Sequence, residues 1–179
     1  RGTIQDATFI EADPGNSKKP RRENARTRRS RDGTWAEKGE ELHFGYKLHS
    51  KVDIDYGLIR SIESTTASVH DSRVDLSVEG EVVLRDRGYF GVKAKGNDFT
   101  MKRAAAGHPL NDLDQLRNRL ISKLRFPGER QFAVIKRVFR SAHVMVTTVP
   151  RVHVKMVFTA VAFDLYQLCT LKNAEIVSK

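Results

Sequence analysis

Apolar and polar residues alternate along the first third of the chain, as they do in β-strands. From Thr3 to Ala12 the even-numbered residues 4–10 share one face, and Ala7 and Phe9 share the other. Residues 42–53 and 58–64 show the same two-residue period, and the turn signal Asp55-Tyr56-Gly57 separates them. Three strands in succession predict an antiparallel meander.

The second half of the chain mixes short apolar runs with longer helical patterns. Residues 82–84 predict a central buried strand, and residues 98–102 predict a further one. Residues 69–78 predict a short helix that His70, Asp71 and Ser72 would cap. Strands followed by a strand and helices indicate an α/β fold, an α+β mixed sheet with helices on its faces.

Two stretches near the C-terminus predict long helices. Residues 112–140 are helical in pattern, but Pro127-Gly128 interrupts them, so we expect two helices, the second beginning at Pro127. An apolar stripe at helical spacing predicts the buried face of the first helix: Leu113, Leu116, Leu120, Ile121 and Leu124. Residues 152–171 predict an apolar helix. Three polar residues interrupt its run, so we interpret it as a buried helix and not as a membrane span.

Basic residues are concentrated in two stretches. The 179 residues carry a formal charge of +10. Residues 18–31 and residues 117–140 each contain eight basic residues and one acidic residue. Such a distribution is typical of a nucleic-acid footprint, whereas solvated surface charge is the alternative for either stretch alone. The first stretch lies in a predicted basic loop, residues 13–41, where Arg28 and Arg29 are candidate DNA contacts.

Cysteine content and the N-terminus bear on the compartment. Cys169 is the only cysteine, so no disulfide can form within the chain, which suits a reducing compartment. Residues 1–4 contain no apolar signal region. We therefore expect a cytoplasmic protein without a membrane partner.

Three acidic residues suggest a metal site. Asp6 lies in a predicted strand, Asp86 follows the buried strand, and Glu129 lies in the basic helical region. Carboxylates on two strands and a helix are an arrangement that holds a pair of divalent cations, which can clamp a phosphodiester. The alternatives are an arginine partner for Asp6, because an unpaired buried charge is costly, and a helix-dipole role for Glu129.

Helical spacing also relates Glu129 to nearby cations. On a helix that begins at Pro127, Glu129 and Lys136 lie on one stripe, so Lys136 could reach a phosphate. Arg130 falls towards another side, where it could follow a DNA backbone.

Several blocks of the sequence resemble the DDE transposases of bacterial and archaeal insertion sequences, in particular the insertion sequence four and five group. Around the third acid, that group has a tyrosine–arginine–glutamate–lysine signature. Arg125, Glu129 and Lys136 match three of its residues, and Ser122 stands at the tyrosine position. The remaining blocks that match, in the expected order, are residues 6–12, residues 44–49, His70-Asp71-Ser72 and residues 86–89.

The resemblance implies an RNase H-like fold with a five-stranded mixed sheet flanked by helices, the first acid on the first strand and the second at the end of the fourth. It implies Asp6, Asp86 and Glu129 as catalytic ligands of two Mg²⁺ or Mn²⁺ ions, oxygen ligands being what these hard cations prefer. Arg125 and Lys136 would contact phosphate.

The implied activity is hydrolysis of a phosphodiester at the transposon end, followed by transfer of the freed 3′ end into target DNA. Tyr89 would contact the cleaved strand or pack in the core. A homodimer on DNA is implied as well. We expect residues 1–179 to form one catalytic domain that lacks the family's N-terminal DNA-end-binding region. A truncated remnant that only binds DNA, or another RNase H-like nuclease such as a junction resolvase, are the alternatives.

Overall fold

The structure is a computed structural model, and it describes residues 2–15 and 29–174. In this part of the chain it has seven β-strands and two α-helices. They are β1 (Thr3–Ala12), β2 (Thr34–Lys38), β3 (Glu41–Asp53), β4 (Ile59–Thr66), β5 (Val82–Arg85), β6 (Asn97–Thr100), α1 (Asp112–Arg137), β7 (His143–Val144) and α2 (Val149–Asn173).

Five of the strands form the body of one mixed sheet, in the order β4-β3-β1-β5-β6. β1, β3 and β4 are antiparallel neighbours, as the meander predicts. β5 and β6 then continue the sheet in parallel with β1. The short strands β2 and β7 add to it, β2 beside the start of β3 and β7 beside the end of β1. The predicted α/β class, a mixed sheet flanked by helices and compatible with an RNase H-like fold, is confirmed.

Strand β2 lies within the region predicted to be a loop, so the prediction is wrong for residues 34–38. β2 pairs with the first residues of β3 through a tight turn in which Gly39 has φ 65°. Trp35 packs against Phe44 with ring centroids 5.1 Å apart. The strand is short and mostly exposed, so its sequence shows little apolar alternation. Its pairing with β3 is what makes it a strand. Residues 16–28 lie outside the described part of the chain.

The predicted helix at residues 69–78 is also wrong. A single turn of 3-10 helix, Asp71–Arg73, is followed by irregular chain. The buried amide of Gln5 holds this chain, because its Nε2 donates to the Val74 carbonyl at 2.6 Å and its Oε1 accepts from the Leu76 N–H at 3.1 Å. These bonds from β1 satisfy backbone groups that a helix would otherwise satisfy internally.

Helix α1 is continuous, whereas the sequence predicts two helices that meet at Pro127. The proline lies inside the helix and leaves it unbroken. A proline inside a helix costs about 3 kcal/mol. The buried face nevertheless continues on both sides of it, with Ile121 before and Ile135 after, so packing on the sheet outweighs the lost hydrogen bond. Gly128 lies against β1, where a Cβ atom would be 2.7 Å from Ile4 Cγ2.

The predicted apolar face of α1 is mostly at the surface. The four leucines of the stripe, Leu113, Leu116, Leu120 and Leu124, are between 50% and 76% exposed, and only Ile121 is buried. The buried side of the helix instead includes the polar residues Asn118, Arg125 and Gln131. Each of these has a specific partner on the sheet side, so hydrogen bonding decides the orientation of α1 more than its leucines do.

Helix α2 is buried on one face only. Val152, Met156 and Phe163 join the main core with β1 and β3, while Phe158 and Leu165 lie on an exposed apolar face. The interpretation of α2 as a fully buried helix is therefore wrong for its outer face. Judged by length and composition alone, α2 could cross a membrane, a criterion that core helices of soluble proteins also meet.

Candidate active site

Asp6 lies in the middle of β1, on the face that α1 covers. Its Oδ2 accepts a hydrogen bond from Arg125 Nη2 at 2.9 Å, and its Oδ1 accepts from the Ala7 N–H at 2.8 Å. Burial raises the pKa of Asp6 to about 6, although the Arg125 guanidinium and the Ala7 N–H act in the opposite direction. The negative charges of Asp86 and Asp71 raise the pKa further. The arginine partner is thus present, and the carboxylate still lies where negative charge is disfavoured.

Asp86 follows β5 directly and lies beside Asp6. In the parallel pairing of β1 with β5, Ile4 is opposite Leu84, and Asp86 follows two residues after Leu84, close enough for its negative charge to act on Asp6. Asp86 begins a short 3-10 helix, Arg87–Tyr89, in which its Oδ1 accepts from the Gly88 N–H at 2.7 Å. The cap fixes the carboxylate at the end of the strand, next to the first acid.

Glu129 is the least constrained of the three predicted ligands. It is exposed on α1, one turn after Arg125 and next to Gly128, whose backbone touches β1. Within the described residues the structure gives its carboxylate no hydrogen bond or ion pair. The helix therefore passes over the two strand acids while Glu129 stays at the edge of the contact.

Among residues 2–15 and 29–174, no group of three or more histidine, cysteine, aspartate or glutamate side chains is close enough to hold a metal ion. The structure brings Asp6 and Asp86 together and does not group Glu129 with them. Two adjacent carboxylates, one with a pKa that burial raises and that its acidic neighbours raise further, suit a hard cation as ligands. The two carboxylates supply some of the oxygen ligands that a divalent ion needs. Arg125 already binds one of these oxygens, Oδ2 of Asp6.

Beneath the two acids, the opposite face of the sheet carries further polar residues that sequence reasoning did not place in the site. Lys47 Nζ donates to Asp71 Oδ1 and to the Val69 carbonyl, each at 2.8 Å, which ties the 3-10 turn to β3. Burial lowers the pKa of His49 to about 4. The alternation of Lys47 and His49 on one face of a strand is the sequence signal that could have indicated this cluster.

The predicted DNA contacts near the acids differ in exposure. Arg125 is buried, and its Nε has no hydrogen-bond partner among the described residues. Tyr89 is buried too, and the Arg85 guanidinium lies over its ring at 5.3 Å, which agrees with the core-packing alternative. Burial raises the pKa of Tyr89. Arg130 is exposed on α1 and accessible to a DNA backbone.

Lys136 and Arg29 are the other predicted contacts among the described residues, and Lys136 lies farther from Asp6. Lys136 is half-buried, and burial lowers its pKa, while the negative charge of Glu11 raises it. Glu11 is five residues beyond Asp6 on β1, a span of about 17 Å along a strand, so Lys136 is a more distant contact. Arg29 lies over the Phe44 ring at 5.3 Å. Arg28 lies outside the described residues.

Comparison with known proteins identifies the family of this chain. The family described as Transposase DDE domain matches residues 1–165, and the chain belongs to it. A curated relative, the transposase for insertion sequence element IS1106 of Neisseria meningitidis serogroup B, is 27% identical over 126 residues. That match covers 64% of this chain and 43% of the relative, so the chain spans less than half of the relative's length. No solved structure matches the chain.

The resemblance seen in the sequence is thereby confirmed at the level of the family, which acts in DNA transposition. Members of this family generally use divalent metal ions.

Proposed function

We propose that this chain is the catalytic domain of a DDE transposase, a single domain over residues 1–179 that cuts DNA at transposon ends and joins the freed 3′ end to target DNA. The observation that carries the proposal is the pair of carboxylates, Asp6 and Asp86, adjacent on neighbouring strands beneath a basic helix. The family match supports the same reaction.

In this proposal Asp6 and Asp86 hold Mg²⁺ or Mn²⁺, with Glu129 as the third ligand once α1 or its side chain moves towards them. Two divalent ions bound there would polarise the phosphodiester and supply the activated water. Because Arg125 already contacts Asp6, its guanidinium is close enough to the acids to stabilise a phosphate held beside them. Arg130 and the other exposed cations of α1 would hold the flanking backbone.

The proposal is tested by nicking of DNA that carries the ends of the parent insertion element, with Mg²⁺ or Mn²⁺ present. Asp86→Asn should lower the nicking rate roughly a hundredfold or more, since it removes a ligand at the reacting centre. Asp55→Asn is the matched control, because Asp55 is exposed in the turn between β3 and β4. Equal rates for Asp86→Asn and the unaltered chain would overturn the proposal.

A second candidate is a domain that binds DNA without cutting it. The separate position of Glu129 and the ion pair between Asp6 and Arg125 favour it. This candidate predicts binding that weakens steeply with salt and no metal-dependent nicking under any condition. A junction resolvase would instead prefer branched over linear DNA.

We also propose that two protomers act together on DNA in the cytoplasm, because an insertion element has two ends and each needs a catalytic site. Light scattering of the protein with end DNA should give a mass of two protomers per complex. One protomer per DNA end, with no pairing of ends, would contradict this part of the proposal.

A further inference from the structure

A cleft of about 350 Å³ lies at the β6 edge of the sheet, beyond the short helix that Asp86 caps, and the reaction described above does not use it. Its wall is formed by Tyr89 and Phe90, which end the short helix that Asp86 caps, and by the loop residues that follow. Across from them lie Thr100 of β6 and Arg117 of α1. A ligand in this cleft would therefore be only a few residues of chain away from Asp86.

The floor of the cleft is held by a buried arginine. Arg85 is fully buried, and its Nη2 donates to Asp98 Oδ2 and to the Val92 carbonyl, each at 2.6 Å. Its Nε donates to Thr100 Oγ1 at 2.8 Å. These bonds fix the loop to strand β6, so the cleft is a built part of the fold. Nη1 of Arg85 has no hydrogen-bond partner among the described residues.

The charge around the cleft is positive. Lys93, Lys102 and Arg117 line it, and Asp98 is the single acid among the lining residues. Arg85 neutralises Asp98, and Asp114 pairs with Lys102 at 2.6 Å. Lys93 and Arg117 remain. Arg117 Nη1 donates to the Thr100 carbonyl at 2.8 Å, which holds the guanidinium at the cleft rim, and two cations there suit a phosphate group.

An exposed aromatic ring completes the cleft. Phe90 lines it and is 53% exposed, whereas Phe99 of β6, which is 43% exposed, lies outside the lining. The Arg117 guanidinium lies over the Phe99 ring at 5.9 Å. Exposed phenylalanine next to lysine and arginine is the combination that binds single-stranded nucleic acid, the rings stacking on bases and the cations holding phosphates.

We propose that this cleft binds one unpaired nucleotide of the DNA strand whose phosphate lies at Asp6 and Asp86. The base stacks on Phe90, and the phosphate of that nucleotide lies between Lys93 and Arg117. The inference rests on the proposed function, because it places the strand end that the acids would act on. It adds a site for unpaired DNA to a fold whose other basic surfaces suit a duplex.

The test measures binding of the whole chain in EDTA, so that no cleavage step contributes. The probe is a DNA duplex with 2-aminopurine in a short single-stranded overhang, compared with a blunt duplex of the same sequence. Phe90→Ala should weaken binding of the overhang duplex about tenfold and abolish the quenching of 2-aminopurine, because stacking of one base contributes about 1–3 kcal/mol. Binding of the blunt duplex should stay unchanged.

Two variants serve as controls. Tyr56→Ala removes another exposed aromatic ring, at the turn between β3 and β4, and should bind both duplexes as the unaltered chain does. Phe90→Trp keeps an aromatic surface and should retain the quenching. Phe90→Ala that binds the overhang normally, or that weakens both duplexes equally, would overturn the inference.

Free mononucleotide provides a further comparison. If dAMP competes as well as the overhang duplex does, the cleft binds a free nucleotide and not a DNA strand end, which also overturns the inference. The cleft and the proposed catalytic function can fail independently of each other in these experiments. A chain that nicks DNA but shows no effect of Phe90→Ala rejects the cleft alone. A chain that never nicks yet loses overhang binding in Phe90→Ala rejects only the catalysis.

Discussion

Both halves of helix α1 are held by buried polar residues, but their partners differ: backbone groups in the first half and side chains in the second. In the first half, the leucines of the apolar stripe are exposed and Asn118 is buried, with its amide bonded to the backbone N–H and carbonyl of Lys102. In the second half, Arg125 contacts Asp6, and Gln131 donates to Ser50 Oγ at 2.6 Å. The comparison teaches that specific polar contacts, more than the count of apolar residues, orient this helix on the sheet.

The effect of the Asp6 charge on stability can be measured apart from the other contacts of the helix by changing the pH. Asp6 has a pKa of about 6 in the folded chain and 3.8 as its ordinary value, so the folded state binds the proton more tightly. The stability that the protonated group contributes is present below its ordinary pKa and is lost as the pH rises through about 6. The free energy of unfolding of the unaltered chain, relative to Asp6→Asn, should fall by about 2 kcal/mol between pH about 4 and 7.

Urea denaturation at a series of pH values measures this difference. Divalent cation added at neutral pH should restore part of the loss, since it neutralises the carboxylate. A difference that stays constant across this pH range would show that Asp6 is not held in a disfavoured charged state.

The close approach of α1 to β1 can be broken at Gly128. A Cβ atom there would lie 2.7 Å from Ile4 Cγ2, and Ile4 is fully buried, so neither element can yield freely. Gly128→Ala gains about 1 kcal/mol of helix propensity. Overpacking costs typically 1–3 kcal/mol, and we expect it to exceed that gain, for a net loss of up to about 2 kcal/mol by thermal or urea denaturation. Ser122→Ala, at an exposed position on the same helix, should be nearly neutral, and a stabilised Gly128→Ala protein would contradict the contact.

Competition between Arg125 and a divalent ion for Asp6 can be tested by measuring metal affinity. If Asp6 and Asp86 hold a divalent ion, Arg125→Gln removes the cation that occupies one Asp6 oxygen at 2.9 Å. We expect Mn²⁺ to bind about tenfold more tightly, or about 1.4 kcal/mol, by calorimetry without DNA. Arg130→Gln, which removes an exposed cation one turn away, should leave the affinity within about twofold, because exposed charges are screened. Unchanged or weaker binding by Arg125→Gln would show that the guanidinium does not compete with the ion.

The smallest effect is expected in the first half of the helix. Leu120→Ser removes a side chain that is 53% exposed, and the free energy of unfolding should change by less than about 0.5 kcal/mol. A loss comparable to that of Gly128→Ala would mean that the leucine stripe is covered in solution.

The strands of the sheet and their order follow well from the sequence because half-buried strands alternate strictly. β1 has the predicted bounds, and β3 and β4 differ from the prediction by two residues or fewer at each end. The helices follow less well. Pro127 predicts a break that the buried face of α1 overrides, and the leucine stripe predicts a buried face that hydrogen bonds to Asn118, Arg125 and Gln131 place elsewhere.

The candidate site is predictable where strands define it and unpredictable where a helix does. The parallel register places Asp86 beside Asp6, as the fold of the resembling family implies. The position of Glu129 depends on the rotation of α1 about its axis. The leucine stripe predicts the wrong rotation, so a place for Glu129 beside Asp6 and Asp86 stays a prediction. Arg125 was considered as a phosphate contact, and a nearby arginine as the alternative partner of Asp6. In the structure Arg125 is the arginine partner of Asp6, and its contact with phosphate stays a prediction.

The seam between β1 and β5 has a consequence for the dynamics of the molecule. β1 pairs with β3 over nine residues but with β5 over only two, Thr3 with Val83 and Ile4 with Leu84. Local opening in proteins follows such thin boundaries and separates cooperative units well before the whole chain unfolds. The amides of β5 should therefore exchange with solvent faster than those of β3, and we expect β5, with Asp86 directly after it, to part from Asp6 while the meander stays folded.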